Sequence, residues 1–248
     1  MSKPRVVAIV QARTGSSRLP NKVLEPLAGQ PMLARVVDRL GQASSLDAVV
    51  VATTDLKADD RIEELCRERG WSVFRGSETD LTDRYYRCAQ ASHADIVVRV
   101  TSDCPLIDAG IVDRVVDALL DQPTADNATN VLPHHTWPRG LDVEAVRFAA
   151  LERVWEEDTN PAWREHATYY IRQHPERFET VRVANPDSRA PNARRWTVDT
   201  PEDLAFVRRV YDQLGDDFAD YDAILQVVEK HPEWSALNAG VSQKPVPE

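Results

Sequence analysis

The stretch VVAIVQARTGSSRLPNKVL, residues 6–24, decides how the chain begins to fold. Its apolar, β-branched first half predicts a buried strand, which stops abruptly at a polar loop. The loop combines fixed cations with a glycine and a hydroxyl, namely Arg13, Gly15, Ser16, Arg18 and Lys22. Open α/β sheets bind ligands at the carboxyl edge of their strands, where backbone N–H groups can join side chains around phosphate oxygens. The stretch therefore predicts a polyanion site at a sheet edge.

Two observations limit this interpretation of the loop. It is not a Walker A loop, because no Gly-Lys-Ser/Thr follows Gly15 at the required distance. A basic turn that is merely solvated has the same composition, so the loop alone leaves that alternative open.

Composition sets the class of protein. With 248 residues the chain can form one large α/β domain, and its formal charge of −10 argues against a nucleic-acid partner. The three cysteines have neither disulfide nor zinc-site spacing. The apolar run after Arg5 is too short for a signal peptide, and no stretch approaches the length of a membrane span. We expect a cytoplasmic protein without a membrane partner.

Strand and helix patterns alternate through the first half of the chain. Strand-like runs are predicted at 47–52, 72–74 and 95–100, and helices at 59–69, 81–92 and 111–120, the last with Asp108 as its N-cap. Such alternation predicts βαβ crossovers, and therefore an α/β fold with a mainly parallel sheet and flanking helices.

The alternation breaks between 123 and 193, where prolines punctuate shorter strands and a helix near 163–172. We interpret this irregular insertion as a lid, or as a substrate or oligomerisation subdomain, within one domain over 1–240. The pattern resumes with a predicted strand at 195–198 and a helix that Thr200 caps. Residues 241–248 are predicted to be a disordered tail.

Two aspartates stand just after predicted strands, at the same edge as the cationic loop. Asp103 follows the strand at 95–100, and Asp199 follows the one at 195–198. Each alone is consistent with a helix cap or a turn. Together, facing a phosphate loop, they predict a Mg²⁺ site, because magnesium takes a few carboxylates together with phosphate oxygens.

Two further motifs have both a functional and a structural interpretation. In RGLDVE, residues 139–144, alternation along a strand places Asp142 and Glu144 on one face, where they would bind sugar hydroxyls or simply face solvent. Arg164 lies on the predicted helix beside Glu165. It would bind a substrate carboxylate through two parallel N–H···O bonds, or form a surface pair with Glu165.

At this point the motifs resemble a known family. The stretches are ARTGSSRLPNKVLEPLAGQPML (12–33), DLTDRYYRCA (80–89), DCPLID (103–108), RGLDVE (139–144), REH (164–166) and WTVDTPEDL (196–204). In this order they resemble the cytidylyltransferases that activate acidic sugars, above all the branch named for spore coat polysaccharide biosynthesis. That branch is related to the acylneuraminate and 3-deoxy-manno-octulosonate enzymes.

The resemblance implies a nucleotide-diphospho-sugar transferase (Rossmann-like) fold and assigns roles to single residues. Arg13 and Lys22 would hold the CTP triphosphate and carry catalysis, with help from Gly15, Ser16 and Arg18. Arg84 would contact the nucleotide near its base. Asp103 would touch the nucleotide and, with Asp199, bind Mg²⁺. Arg139, Asp142, Glu144 and Arg164, in the two motifs that mark the branch, are our candidates for binding the acceptor.

The implied reaction is the Mg²⁺-dependent transfer of CMP from CTP to an acidic sugar, with release of pyrophosphate, in a homodimer. Two alternatives stay open: a transferase of the same fold that uses another nucleotide, and a non-catalytic nucleotide-binding protein. The chain also departs from the family motif, with Thr14 where many members have methionine and Asn21 where many have glycine.

Overall fold

The computed structural model describes residues 3–131, 134–187, 194–214 and 217–243. Its strands are β1 (Val6–Gln11), β2 (Pro26–Leu27), β3 (Gln30–Pro31), β4 (Ala48–Thr54), β5 (Ser72–Gly76), β6 (Ile96–Thr101), β7 (Asn127–Thr129), β8 (Glu144–Arg147) and β9 (Thr180–Arg182). Its α-helices are α1 (Met32–Leu40), α2 (Asp60–Arg69), α3 (Leu81–Ala91), α4 (Ala109–Leu120), α5 (Phe148–Glu157), α6 (Pro161–Arg164), α7 (Tyr169–Gln173), α8 (Pro201–Gln213), α9 (Tyr221–Lys230) and α10 (Pro232–Ser235). Short 3₁₀ turns cover Lys22–Leu24 and Lys57–Asp59.

Seven of these strands form one sheet in the order β5-β4-β1-β6-β8-β7-β9, and β2 pairs with β3 in a separate hairpin. The pairs of β1 with β4 and β6, of β4 with β5 and of β7 with β9 are parallel, whereas β8 is antiparallel to both of its neighbours. The predicted α/β fold with a mainly parallel sheet is confirmed. From β1 the chain continues to β4 and β5 on one side of the sheet and then crosses to β6 on the other side of β1. Open sheets of this class bind ligands at such a switch point.

The central strand β1 is buried on both faces, which explains its continuous apolar sequence. Val6, Ala8 and Val10 pack into the core beneath α1, α4 and α8, while Val7 and Ile9 pack towards α3 and α5. Gln11 pairs with Thr101, so that the loops after β1 and β6 leave the sheet side by side. This register places the cationic loop next to Asp103.

The predicted helix starts are confirmed. The Asp108 carboxylate accepts a hydrogen bond from the Ile111 backbone N–H at 2.8 Å. Thr200 and Asp203 form a reciprocal capping box at the start of α8. Both caps satisfy backbone donors that helix geometry leaves without partners.

Two predicted elements differ from the structure. The segment 195–198 is not a strand. Its backbone forms a single bridge, between Arg139 and Arg195. The N–H groups of Trp196 and Val198 bond to two different segments, at the carbonyls of Arg139 and Asp103. The predicted helix near 163–172 is divided into α6 and α7. The chain turns between them, since the His166 N–H bonds to the Trp163 carbonyl and the Tyr169 N–H to the His166 carbonyl.

The irregular segment 123–193 contributes β7, β8 and β9 to the main sheet through its described residues. At the other end of the chain, Ser242 and Gln243 accept hydrogen bonds from Arg18 and Arg195. The rest of the predicted tail, 244–248, lies outside the described residues. None of the described helices has the length and apolarity needed to cross a membrane.

Gly140 brings the segment 195–198 against the rest of the fold. Its φ of 104° is in the region that favours glycine, and a Cβ there would lie 2.6 Å from the Thr197 nitrogen. The close approach allows the Trp196 N–H to reach the Arg139 carbonyl at 2.7 Å. Gly140 therefore sets the path of the chain into Asp199.

We expect Gly140→Ala to lower the free energy of unfolding by at least about 2 kcal/mol, because it combines backbone strain with a clash against backbone atoms. Urea unfolding measures the change. Gly240→Ala is the matched control, since nothing lies within 4 Å of its added Cβ. A Gly140→Ala protein as stable as the control would contradict this role.

Candidate active site

A cavity of about 520 Å³ opens at the carboxyl ends of β1 and β6. It brings together the predicted nucleotide-binding and metal-binding residues, namely Arg13, Gly15, Ser16, Arg18, Lys22, Arg84, Asp103 and Asp199. Gln11, Glu78, Thr79, Thr101 and Glu165 also line it. The residues predicted to bind nucleotide and metal therefore line one recess, together with additional polar side chains.

The cationic loop closes on the carbonyl oxygen of Thr14. That oxygen accepts hydrogen bonds from the Ser16 N–H at 2.8 Å and the Asn21 N–H at 2.9 Å. Asn21 has a φ of 58°, a left-handed conformation that glycine adopts most readily and asparagine tolerates better than most residues. Asparagine in place of the glycine that many family members carry therefore preserves the turn that leads into Lys22.

A buried carboxylate from another part of the chain anchors the loop. One oxygen of Asp59 accepts both the backbone N–H and the hydroxyl of Thr14, each at 2.7 Å, and the other accepts the Thr54 hydroxyl. Asp59 is only 2% exposed. Sequence reasoning missed this residue, because it stands in a charged turn, 55–60, whose composition is that of an ordinary surface loop. The threonine at position 14 thus supplies two of the three donors to this carboxylate.

The ammonium group of Lys22 lies at the meeting point of three oxygen atoms. It donates to Asp103 Oδ2, to Asp199 Oδ1 and to the Val198 carbonyl, each at 2.8 Å. The Lys22 side chain is 11% exposed. Burial lowers its pKa, but the two carboxylates outweigh burial and raise the pKa above its ordinary value. Lys22 therefore carries its charge at neutral pH.

Two arginines complete the surroundings of Asp199. Arg18 Nη2 lies 2.9 Å from Asp199 Oδ2, and Arg195 Nη2 lies 2.7 Å from the same oxygen. Burial alone would raise the pKa of Asp199, but Lys22 and the arginines lower it to about 2. Arg195 is itself held by Asp203, at 2.8 Å. Asp199 is therefore ionised at neutral pH.

The donor set fits magnesium that arrives with phosphate. Two carboxylates and one carbonyl oxygen already converge on a cation, the Lys22 ammonium, and oxygen is the donor that Mg²⁺ takes. The described residues contain no group of three or more His, Cys, Asp or Glu side chains that would hold a metal by itself. The chain thus supplies only part of a magnesium shell, and phosphate and water oxygens would have to supply the rest.

Arg84 forms the opposite part of the cavity wall, on α3. It is 3% exposed, and its Nη1 donates to the Ser77 carbonyl at 3.1 Å, while its Nε has no hydrogen-bond partner within the described structure. Burial lowers its pKa, and the nearby positive charge of Arg13 lowers it further. A buried guanidinium with an unused donor, beside a second cation, favours an anionic or polar ligand.

The predicted acceptor-binding residues Arg139, Asp142, Glu144 and Arg164 do not belong to the cavity lining that the structure shows. The expected shared strand face of Asp142 and Glu144 is wrong, because β8 begins only at Glu144. Glu144 accepts hydrogen bonds from Arg99 at 2.6 Å and from the Thr168 hydroxyl at 2.7 Å. Asp142 instead lies 3.3 Å from His135.

Arg164 and Arg139 are both engaged within the fold. Arg164 pairs with Asp80 at 2.8 Å, rather than with its sequence neighbour Glu165, and donates to two backbone carbonyls. Arg139 forms the backbone bridge to Arg195. In the REH motif it is Glu165 that reaches the cavity, and no sequence pattern distinguished it from an exposed helix residue.

Comparison with known proteins identifies the family of the chain. A family model described as cytidylyltransferase matches residues 7–230. The chain belongs to the cytidylyltransferase family. It is therefore a nucleotidyltransferase, as the resemblance of its motifs predicted.

The chain is also similar to individual proteins and solved structures. The spore coat polysaccharide biosynthesis protein SpsF of Bacillus subtilis is 33% identical over 216 residues, which cover 85% of this chain and 88% of that protein. A cytidylyltransferase structure from Leptospira borgpetersenii superposes with a TM-score of 0.89 at 32% identity, over 98% of this chain and 100% of the other. A CMP:2-keto-3-deoxy-manno-octonic acid synthetase complexed with CTP shares the fold, with a TM-score of 0.65 at 23% identity over 84% and 99% of the two chains.

We expect Thr14→Val to lower the free energy of unfolding by about 1–3 kcal/mol, because it leaves the buried Asp59 carboxylate with one donor fewer. Thr14→Ser is the matched control, since it keeps the hydroxyl and removes only a methyl group. Urea unfolding of the two variants measures the difference. Equal stability of Val and Ser at this position would show that the hydroxyl does not anchor the loop.

Proposed function

We propose that this cytidylyltransferase transfers CMP from CTP to an acidic sugar, or to a related acid with a free hydroxyl, and releases pyrophosphate. The observation that carries the proposal is the shared cavity: fixed cations of the loop after β1 face the same recess as Asp103 and Asp199. Both SpsF and the octonic acid synthetase, by their names, act in sugar or sugar-acid chemistry.

The reaction needs an attacking oxygen, a stabilised phosphate and a leaving group. A hydroxyl of the acceptor attacks the α-phosphorus in line and gives up its proton to water. The bond from phosphorus to the bridging oxygen breaks, and pyrophosphate leaves with that oxygen. Negative charge grows on the phosphate oxygens during this exchange. Lys22 and Arg13 neutralise it, because cations that contact the phosphate oxygens before the chemical step need no reorganisation at the moment of reaction.

Asp103 and Asp199 are the residues that would hold Mg²⁺, which supplies Lewis-acid charge and a template for phosphate oxygens. Arg18 and Arg195 fix the orientation of the Asp199 carboxylate through its second oxygen. Gly15 and Ser16 line the cavity, where the Gly15 backbone N–H and the Ser16 hydroxyl add donors for the phosphates.

The order of strands indicates how the nucleotide lies. Glu78, Thr79 and Arg84 follow β5 on one side of β1, whereas Asp103 follows β6 on the other. We assign the cytosine and ribose to the first side, near Arg84, and the α-phosphate and the acceptor to the second. Thr101 and Glu165 line the cavity and are suited to acceptor hydroxyls.

Two of the four acceptor-binding residues predicted from the sequence, Glu144 and Arg164, then act as supports. Glu144 holds Thr168, and Arg164 holds Asp80 and the carbonyls of Trp155 and Asp158. These contacts fix the turn between α6 and α7, and with it Glu165. Their role is therefore to position the acceptor side of the cavity.

The proposal is tested by pyrophosphate release from CTP, ATP, GTP and UTP in the presence of a panel of 2-keto sugar acids and Mg²⁺. We expect release with CTP and at least one sugar acid. Lys22→Ala lowers kcat by on the order of 10²–10³, as the loss of one preorganised electrostatic donor does elsewhere.

Lys57→Ala is the control, because Lys57 is an exposed lysine that does not line the cavity. Near-normal turnover of Lys22→Ala would remove Lys22 from the mechanism. Preference for another nucleoside triphosphate would replace the proposal by a transferase of the same fold with a different donor.

A further inference from the structure

The position between Asp103 and Asp199 already contains a cation that belongs to the protein. The Lys22 ammonium contacts an oxygen of each aspartate and the Val198 carbonyl, all at 2.8 Å. The Asp103 and Asp199 side chains are 23% and 15% exposed, so that solvent reaches them only in part. Lysine therefore uses the same carboxylates that would hold a divalent metal.

The charges around this position are balanced without a metal. Lys22, Arg18 and Arg195 supply three positive charges, and Asp103, Asp199 and Asp203 supply three negative ones. A divalent cation entering this cluster would meet three fixed cations and two carboxylates that are already paired. The free-energy cost of removing water from the ion would be poorly compensated, because the carboxylates that could bind it are already paired with cations.

A triphosphate changes this balance. It brings several negative charges to the loop that carries Arg13, Arg18 and Lys22, and it offers oxygen acceptors to their donors. The backbone of this loop is held by Asp59 through Thr14, so the Lys22 side chain is the part that moves. Once Lys22 turns to a phosphate, the two aspartates lose a cation and gain room for another.

We propose that Lys22 is a resident counter-cation that excludes divalent metal from the nucleotide-free enzyme and releases Asp103 and Asp199 to the metal when the triphosphate arrives. The inference rests on the proposed function, because it takes the triphosphate as the ligand of the loop. By linkage, the same coupling makes nucleotide and metal strengthen each other's binding. The enzyme then assembles its metal site only around a substrate.

The test measures Mn²⁺ binding without nucleotide, from the electron paramagnetic resonance signal of the free ion. We expect weak binding to the wild type and at least about tenfold tighter binding to Lys22→Met, which frees the two carboxylates. Adding Asp103→Asn to Lys22→Met removes the gain. Lys57→Met, which makes the same charge change at an exposed position, binds Mn²⁺ like the wild type.

Lys22→Gln is a second variant should Lys22→Met not fold, and thermal unfolding identifies the folded proteins. The proposal is overturned if the wild type binds Mn²⁺ as tightly as a folded Lys22 variant, or if the gain survives Asp103→Asn. These titrations contain no CTP and no acceptor. Their outcome is thus separate from pyrophosphate release, so that the failure of this inference and the failure of the proposed function are distinguishable.

Discussion

The Lys22 ammonium joins three separate parts of the chain at one point. It connects the turn that ends the cationic loop, Asp103 in the loop after β6, and the segment at Val198 and Asp199. Burying an ammonium group costs free energy unless every donor has a partner, and here all three donors have one. In the nucleotide-free protein this charged contact therefore brings together the active-site residues Lys22, Asp103 and Asp199, and the two aspartates lie 81 and 177 positions from Lys22 in the sequence.

On each side of the Lys22 contact, a buried carboxylate holds a loop in place. Asp59 satisfies the donors of Thr14 beneath the cationic loop, and Asp203 accepts the backbone N–H groups of Asp199 and Thr200 and the Arg195 guanidinium. Both aspartates are almost fully buried. Each fixes a loop that β-sheet hydrogen bonds do not reach. The site is consequently a set of loops held by buried carboxylates on a rigid sheet edge.

Much of this arrangement was predictable, because it is encoded locally. The apolar run of β1, the polar loop that follows it and the cap at Thr200 are continuous signals, and parallel strands bring their carboxyl ends to one edge. The convergence of Asp103 with the loop follows from that rule. Asp199 also lies beside the loop, although the segment before it, predicted to be a strand, forms only one β-bridge.

The features that sequence reasoning missed depend on contacts between distant residues. Nothing around Asp59 distinguishes a loop anchor from a solvated carboxylate, since its partners Thr14 and Thr54 come from other elements. Glu165 reaches the cavity only because the chain turns between α6 and α7, and alternation along 139–144 suggested a strand face that starts later, at Glu144. In each case tertiary packing overrode the local pattern.

The most direct measurement is calorimetric titration of the wild type with CTP, ATP, GTP and UTP, each with and without Mg²⁺. If the cavity is built for a cytidine triphosphate and its metal, CTP binds most tightly and Mg²⁺ strengthens its binding. If no triphosphate binds under either condition, the cationic loop and its aspartates form a structural charge cluster, and the assignment of this cavity as a nucleotidyl-transfer site is wrong.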